Sequence, residues 1–321
     1  MNAENNNKGA NVVNNKTANI DGLSQISHCY DVFIFDLWGV IHDGITPFQH
    51  SVDAMKNLKA LGKTVLILSN SPKRIGDTEE HLSTMGISKN LYDGMYTSGQ
   101  DCYDRLRWSD HPWYQALGKS FFHIGPARNE SIFTEIGYCS VQDPADADFV
   151  LCSGTDGWCT TPEPFYNLLD LCLVYRLPMV CANQDLVITR EGKEYICCGA
   201  ISKHYEKKGG NVFYHGKPSM DIFERLFTFN AICPAKHKTV MIGDSLLTDI
   251  AGANAFGIDS VFITSGIHGK ETINAQTFLK FNAFPTWVKD HCSWSSFPKR
   301  IPPDDEIKRL PRNGVSMNCG V

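Results

Sequence analysis

The sequence predicts an α/β protein, a parallel sheet flanked by helices and interrupted by a second α/β unit. Three observations lead there. Short apolar runs alternate with longer segments of helical period along most of the chain. The best strand candidates, Val32 to Phe35, Thr64 to Leu68, Thr239 to Ile242 and Ser260 to Thr264, are continuously apolar or β-branched, as strands covered on both faces require. Between the second and third of these lies a long insertion with strand-like runs of its own, Phe121 to Ile124, Phe149 to Cys152, Met179 to Ala182 and Asn211 to Tyr214, separated by helical stretches such as Glu163 to Tyr175.

Taken in order, residues 1–20 are rich in Asn and poor in large apolar side chains, so they cannot offset the entropy of ordering and read as a disordered tail. Residues 21–76 and 206–285 form the expected core domain, and residues 77–205 the inserted unit. Beyond 285 the text turns Pro-, Ser- and charge-rich, and residues 286–321 read as an appended arm anchored by Trp287 and Trp294. A chain of 321 residues accommodates two such domains, and 42% hydrophobic against 20% charged residues is the balance of a globular protein with a sizeable core.

The same text excludes several function classes. A net charge of -5 and a pI near 6.1 provide no broad positive field for a polyanionic backbone, so nucleic acid is not an expected partner. No apolar run approaches the roughly 18 to 20 residues needed to cross a bilayer, and the first residues lack the apolar centre of a secretory signal; no membrane partner and a cytoplasmic location are the expectations. The twelve cysteines are scattered through hydrophobic stretches without a C-x-x-C pair and read as reduced, mostly buried thiols.

Three core strands run into a polar residue at their carboxyl ends, Phe35 into Asp36, Leu68 into Ser69, and Ile242 through Gly243 into Asp244. Ligands of open parallel sheets bind in the crevice at those ends. Each residue alone is also an ordinary turn or capping residue. Their occurrence in order, with Lys217 between them in His215-Gly216-Lys217-Pro218-Ser219, is what points to one site.

At this point the chain resembles the haloacid dehalogenase (HAD) superfamily. The matching segments are Asp36-Leu37-Trp38-Gly39-Val40, Leu68-Ser69-Asn70-Ser71, Gly216-Lys217-Pro218 and Gly243-Asp244-Ser245-Leu246-Leu247-Thr248-Asp249, within about residues 30–270. The Ser-Asn pair, the Gly-Lys-Pro and the Gly-Asp with a second Asp look like the branch with a large α/β cap. The resemblance implies a Rossmann-like core domain, an inserted cap, and a Mg²⁺-dependent phosphatase acting on a small phosphorylated metabolite. It implies Asp36 as nucleophile, with Asp36, Asp244 and the backbone carbonyl of Trp38 on the metal. Ser69, the backbone N–H of Asn70 and Lys217 would bind phosphoryl oxygens, and Asp249 would reach back towards Lys217 or a metal-bound water. Ala182-Asn183-Gln184-Asp185 is similar to the cap loop that faces the core in that branch, and it reads equally as a strand-to-turn pair. Trp158 and His215 are further pocket candidates, although buried aromatics are usually core. Exposed cap surfaces in the branch also admit a homodimer.

One departure matters. The residue two after the nucleophile is normally a second Asp that protonates the leaving oxygen; here it is Trp38. Loss of general acid–base help typically costs about 10² to 10⁴ in rate. Three explanations stand open: His42 or Asp43 acts as the acid from the adjoining loop; the substrate has a leaving group stable as an anion; or the protein is a sensor or scaffold that binds a phosphorylated ligand without turnover.

Overall fold

The computed structural model describes residues 17–269 and 271–295. Its larger sheet has seven parallel strands, β1 (Ala18–Asn19), β2 (Val32–Phe35), β3 (Thr64–Ser69), β4 (Gly94–Thr97), β12 (Thr239–Gly243), β13 (Asp259–Ile263) and β14 (Trp287–Lys289), in the spatial order β1-β14-β13-β12-β2-β3-β4. A second parallel sheet is built from β5 (Ser120–Ile124), β6 (Cys139–Val141), β7 (Phe149–Cys152), β8 (Met179–Cys181) and β11 (Val212–Tyr214), in the order β11-β8-β7-β5-β6. An antiparallel hairpin, β9 (Val187–Arg190) with β10 (Lys193–Ile196), projects from this inserted unit, the cap. The expected architecture, a parallel core sheet with a large inserted α/β cap, is the one observed.

The continuous apolar text of β2 follows from two-sided burial. Successive side chains point to opposite faces. Phe33 and Phe35 join Val65, Ile67, Val240 and Ile242 on one face, against Ala54, Met55 and Leu58 of the helix Gln49–Ala60. Val32 and Ile34 join Leu66, Leu68 and Met241 on the other, against Ile222, Phe223, Leu226 and Phe227 of the helix Met220–Phe229. The last four residues form one stripe of a 3.6-residue period. Burial of each such side chain contributes on the order of 1.5 to 3 kcal/mol.

Several expected boundaries move. Residues 1–16 lie outside the described residues, but residues 17–20 are not tail: Ala18 pairs with Trp287, and Ile20 is buried. Trp287–Lys289 is correspondingly a strand of the core sheet rather than part of an arm, with Val261 opposite Trp287; residues 296–321 lie outside the described residues. β4 pairs with β3 and so belongs to the core although it falls inside 77–205, while β11 belongs to the cap although it falls outside it. β1, β4 and β14 have only two to four residues, too few to display a period, and their identity comes from the strand beside them. β11 reads as a strand of the insertion in the sequence, and only the boundary at 205 falls short of it.

Candidate active site

The strand order reverses between β2 and β12: β3 and β4 continue on one side, β13 and β14 on the other. A crevice opens at the carboxyl ends of strands at such a switch point. Asp36 follows β2 there, its backbone N–H donating to the Ile242 carbonyl at 2.9 Å, and Asp244 follows the neighbouring β12. Ser69 ends β3. Lys217 arrives from the loop after β11, where the chain returns from the cap.

The Lys217 ammonium is 1% exposed. A buried charge is tolerated only when paired and hydrogen-bonded. All three of its N–H directions are used: Nζ donates to Asp36 Oδ1 at 2.7 Å, Asp249 Oδ1 at 2.6 Å and the Leu68 carbonyl at 2.9 Å. Burial opposes its charge, but the Asp249 and Asp36 carboxylates outweigh burial and hold its pKa above the ordinary lysine value. Burial raises the Asp36 carboxyl despite Lys217. It also pushes Asp249 up to about 6, and it raises Asp244 well above the carboxylate range with help from the Asp249 and Asp36 charges.

Carboxylate oxygens of Asp36, Asp244 and Asp249 lie within 4.8 Å of one another. With all three ionised, the carboxylates beside one ammonium would leave a local excess of two negative charges in a buried place, which a cation would relieve. An all-oxygen set of this kind suits a hard divalent cation such as Mg²⁺. The neighbouring backbone is shaped around Asp244. Ile267 N–H donates to its Oδ2 at 2.7 Å, and a Cβ on either Gly39 or Gly266 would come within 2.0 Å of that oxygen. Gly39 also has φ +82°, which an L side chain rarely adopts. The sequence reading missed Gly39, Gly266 and Ile267. Gly39 stood in the first motif segment and could have been found; Gly266 and Ile267 lie in an unpatterned loop after β13.

Asn70 has a second use that the sequence did not suggest. Its Oδ1 accepts from Lys217 N–H at 2.7 Å, and its Nδ2 donates to the Lys217 carbonyl at 3.0 Å and to Asp185 Oδ1 at 2.9 Å. It therefore clasps the Lys217 backbone and the cap loop together. Asn183 Oδ1 accepts from Asp185 N–H at 2.5 Å, the turn geometry foreseen for this pair, while Asp185 itself reaches the core. Burial, partly offset by Lys217, pushes Asp185 up to about 6. Ser69 is buried, and its hydroxyl oxygen accepts from Ser71 N–H at 3.1 Å.

The Trp38 indole N–H donates to the Thr189 carbonyl of β9 at 2.8 Å, and its ring lies against Gly44. The position of the missing acid is thus a tie between core and cap. Asp43 Oδ1 accepts from Ile45 and Thr46 N–H at 2.9 and 2.7 Å, so this carboxylate shapes its own turn. His42 is buried, Nδ1 accepts from Gly44 N–H at 2.9 Å, and burial together with the charge of His81 lowers its pKa to about 4. Of the other two pocket candidates, Trp158 is 46% exposed, whereas His215 is buried beside Asp101 at 2.6 Å and Tyr114.

Two cavities meet at Asp36. One of about 640 Å³ is lined by Asp36, Trp38, Asp185, Lys217 and Asp244; the other, of about 380 Å³, by Asp36, Ser69, Asn70 and cap residues including Trp158. A cleft of about 970 Å³ near Thr264 and Phe278 contains none of the four clustered charges.

The chain is similar to several known proteins. A haloacid dehalogenase-like hydrolase family matches residues 33–139, and a HAD-hydrolase-like family matches residues 214–291. The ribonucleotide monophosphatase NagD of Escherichia coli is 25% identical over 261 residues, 79% of this chain and 94% of that one. A 4-nitrophenylphosphatase of Schizosaccharomyces pombe is 26% identical over 264 residues, 76% of this chain and 87% of that one. The crystal structure of a haloacid dehalogenase-like hydrolase from Brucella suis superposes with a TM-score of 0.74 at 27% identity, covering 85% of this chain and 99% of that one. The chain therefore belongs to the HAD superfamily as a phosphohydrolase-type enzyme with a large α/β cap, related to the nitrophenylphosphatase and NagD-like enzymes.

Proposed function

We propose that the chain is a Mg²⁺-dependent phosphatase that hydrolyses a small phosphorylated metabolite through an aspartyl-phosphate on Asp36. The observation that carries this reading is the buried Lys217 ammonium bonded to Asp36 and Asp249, with Asp244 in the same cluster. A phosphate ester repels an anionic nucleophile, so the site must supply positive charge before Asp36 can attack phosphorus. Lys217 supplies one, fixed beside the nucleophile. Asp36, Asp244 and the Trp38 carbonyl would hold Mg²⁺, which when bound supplies the remaining neutralisation. Asp249 keeps Lys217 in place. Ser69, whose oxygen already accepts from Ser71, keeps its hydroxyl proton to donate to a phosphoryl oxygen, and the Asn70 N–H joins it where charge grows in the transition state. Asn183 and Asp185 bring the cap loop to the substrate. A cytoplasmic location is part of this reading. Among the described residues no helix is long and apolar enough to cross a membrane. The reading includes no nucleic-acid partner and admits a homodimer through the cap.

A second reading, a sensor or scaffold that binds phosphate without turnover, is favoured by one observation. The Trp38 indole is engaged with Thr189, so no acid stands at that position. The discriminating experiment is release of 4-nitrophenolate from 4-nitrophenyl phosphate with Mg²⁺, a leaving group that hardly needs a proton. Turnover abolished by Asp36→Asn supports the phosphatase; no turnover of any aryl or acyl phosphate supports the binding protein.

A further inference from the structure

The smaller cavity at Asp36 has an electrostatic character that the hydrolytic site does not require. Lys73 enters it from the core, two residues before the helix Ile75–Thr84, while Arg128 and Arg190 enter from the cap. Among the described residues none of these three forms an ion pair, whereas Arg105 and Arg225 are both paired with carboxylates. The Arg128 charge reaches Lys73, and the Lys73 and Arg190 charges both reach His81. Burial and then the Arg128 charge lower the Lys73 pKa, with Asp77 and Glu80 offsetting part of the effect. His81, in the same cavity, is lowered by burial and then by Lys73 and Arg190. Both guanidinium groups lie near the Trp158 ring, Arg190 at 4.4 Å and Arg128 at 5.8 Å from its centroid. Both distances are within reach of a cation–π contact that restrains the arginines without neutralising them.

Like charges gathered in a half-enclosed place repel, and the arrangement is relieved when an anion enters. The chain as a whole carries a net charge of -5, so a local concentration of cations is not a consequence of its composition. The cavity also reaches Asp36, Ser69 and Asn70. An anion seated on these cations therefore belongs to a molecule whose phosphoryl group is at Asp36. Arginine presents a planar fork that suits carboxylate and phosphate oxygens alike.

We propose that Lys73, Arg128 and Arg190 form the seat of a second anionic group on the substrate, a carboxylate or a further phosphoryl group. The preferred substrate class is then a phosphate ester with at least one additional negative charge. This rests on the reading of Asp36 as the phosphoryl site, and its test does not depend on leaving-group protonation. Methylphosphonate, phosphonoacetate and methylenebisphosphonate are compared as competitive inhibitors of 4-nitrophenyl phosphate turnover at fixed free Mg²⁺. The expected result is at least about tenfold tighter inhibition by one of the doubly anionic compounds than by methylphosphonate, as one charge-assisted contact provides. Tighter inhibition by phosphonoacetate assigns a carboxylate; tighter inhibition by the bisphosphonate assigns a phosphoryl group. Arg190→Ala, and Lys73→Met on the opposite wall, should each shrink that advantage at least threefold, and Arg190→Lys should restore part of it. Equal inhibition constants for singly and doubly anionic compounds in the unaltered protein overturn the proposal. If 4-nitrophenyl phosphate is not turned over, the phosphatase reading fails separately, and calorimetric titration with the same compounds decides the seat by the same ratio.

Discussion

Gly266→Ala isolates the placement of Asp244 from every other feature of the site. A Cβ at position 266 would stand 2.0 Å from Asp244 Oδ2 and 2.3 Å from its Cβ, where contacts under 3.0 Å essentially never occur. The carboxylate must retreat by about 1 Å to restore ordinary contact, and the 2.7 Å bond from Ile267 N–H is strained or lost with it. A displacement of that size at a reacting centre costs on the order of 10²-fold in rate. Loss of a hydrogen bond to a charged group contributes about 1.5 to 3 kcal/mol to Asp244 placement. The assay is kcat/KM for 4-nitrophenyl phosphate as a function of Mg²⁺, with the expected outcome a fall of about 10²-fold and half-saturation moved to higher Mg²⁺. Gly76→Ala is the control: nothing lies within 4 Å of its Cβ, it sits in the helix Ile75–Thr84, and the change should stabilise by about 0.5 to 1 kcal/mol with Mg²⁺ dependence unaltered. A Gly266→Ala protein with the parental Mg²⁺ dependence would refute Asp244 as a metal ligand.

Other consequences are open to measurement. Lys217→Met leaves Asp36 and Asp249 buried without their cation, so turnover should vanish and stability should fall by about 3 to 5 kcal/mol in chemical denaturation; a fully stable protein would show that the cluster is not held by charge. Trp38→Phe keeps the ring but removes the bond to the Thr189 carbonyl, worth about 1 kcal/mol. Amide exchange in β9 and β10 should then accelerate roughly fivefold, and unchanged exchange would mean that the hairpin is held otherwise. His42 has an ordinary value of 6.5 and a folded value of about 4, so the unfolded chain binds the extra proton between those limits and stability falls as pH drops through that window. At about 1.4 kcal/mol per pH unit, roughly 2 kcal/mol should be lost between pH 7 and pH 5 in the parent relative to His42→Gln. Equal pH dependence in the two proteins would remove His42 from the account.

How much of the site was legible depends on how far its parts reach. Asp36, Ser69 and Asp244 were legible as candidates because each stands at the carboxyl end of a strand whose two covered faces are written as an unbroken apolar run. Trp38 was legible as a departure, but its bond to Thr189 was not, because the partner is a backbone carbonyl and carries no residue preference. Asn70 was recognised for its backbone, while its side chain turned out to hold Lys217 and Asp185 together. The short strands β1, β4 and β14 were mistaken for tail, cap and arm for the same reason, since their pairing partners lie well away in the chain.

By itself the sequence determined the class of fold and pointed to four separated places as one candidate site, because two-sided burial and helical period are local properties of the text. Only the tertiary structure decided that Lys217 lies between Asp36 and Asp249, that glycines clear the space for the Asp244 carboxylate, and that cations from core and cap line one cavity. Those relations join residues such as 36 and 217, separated by 181 positions. Electrostatic energy depends on distance in space, and no local pattern records a distance of that kind.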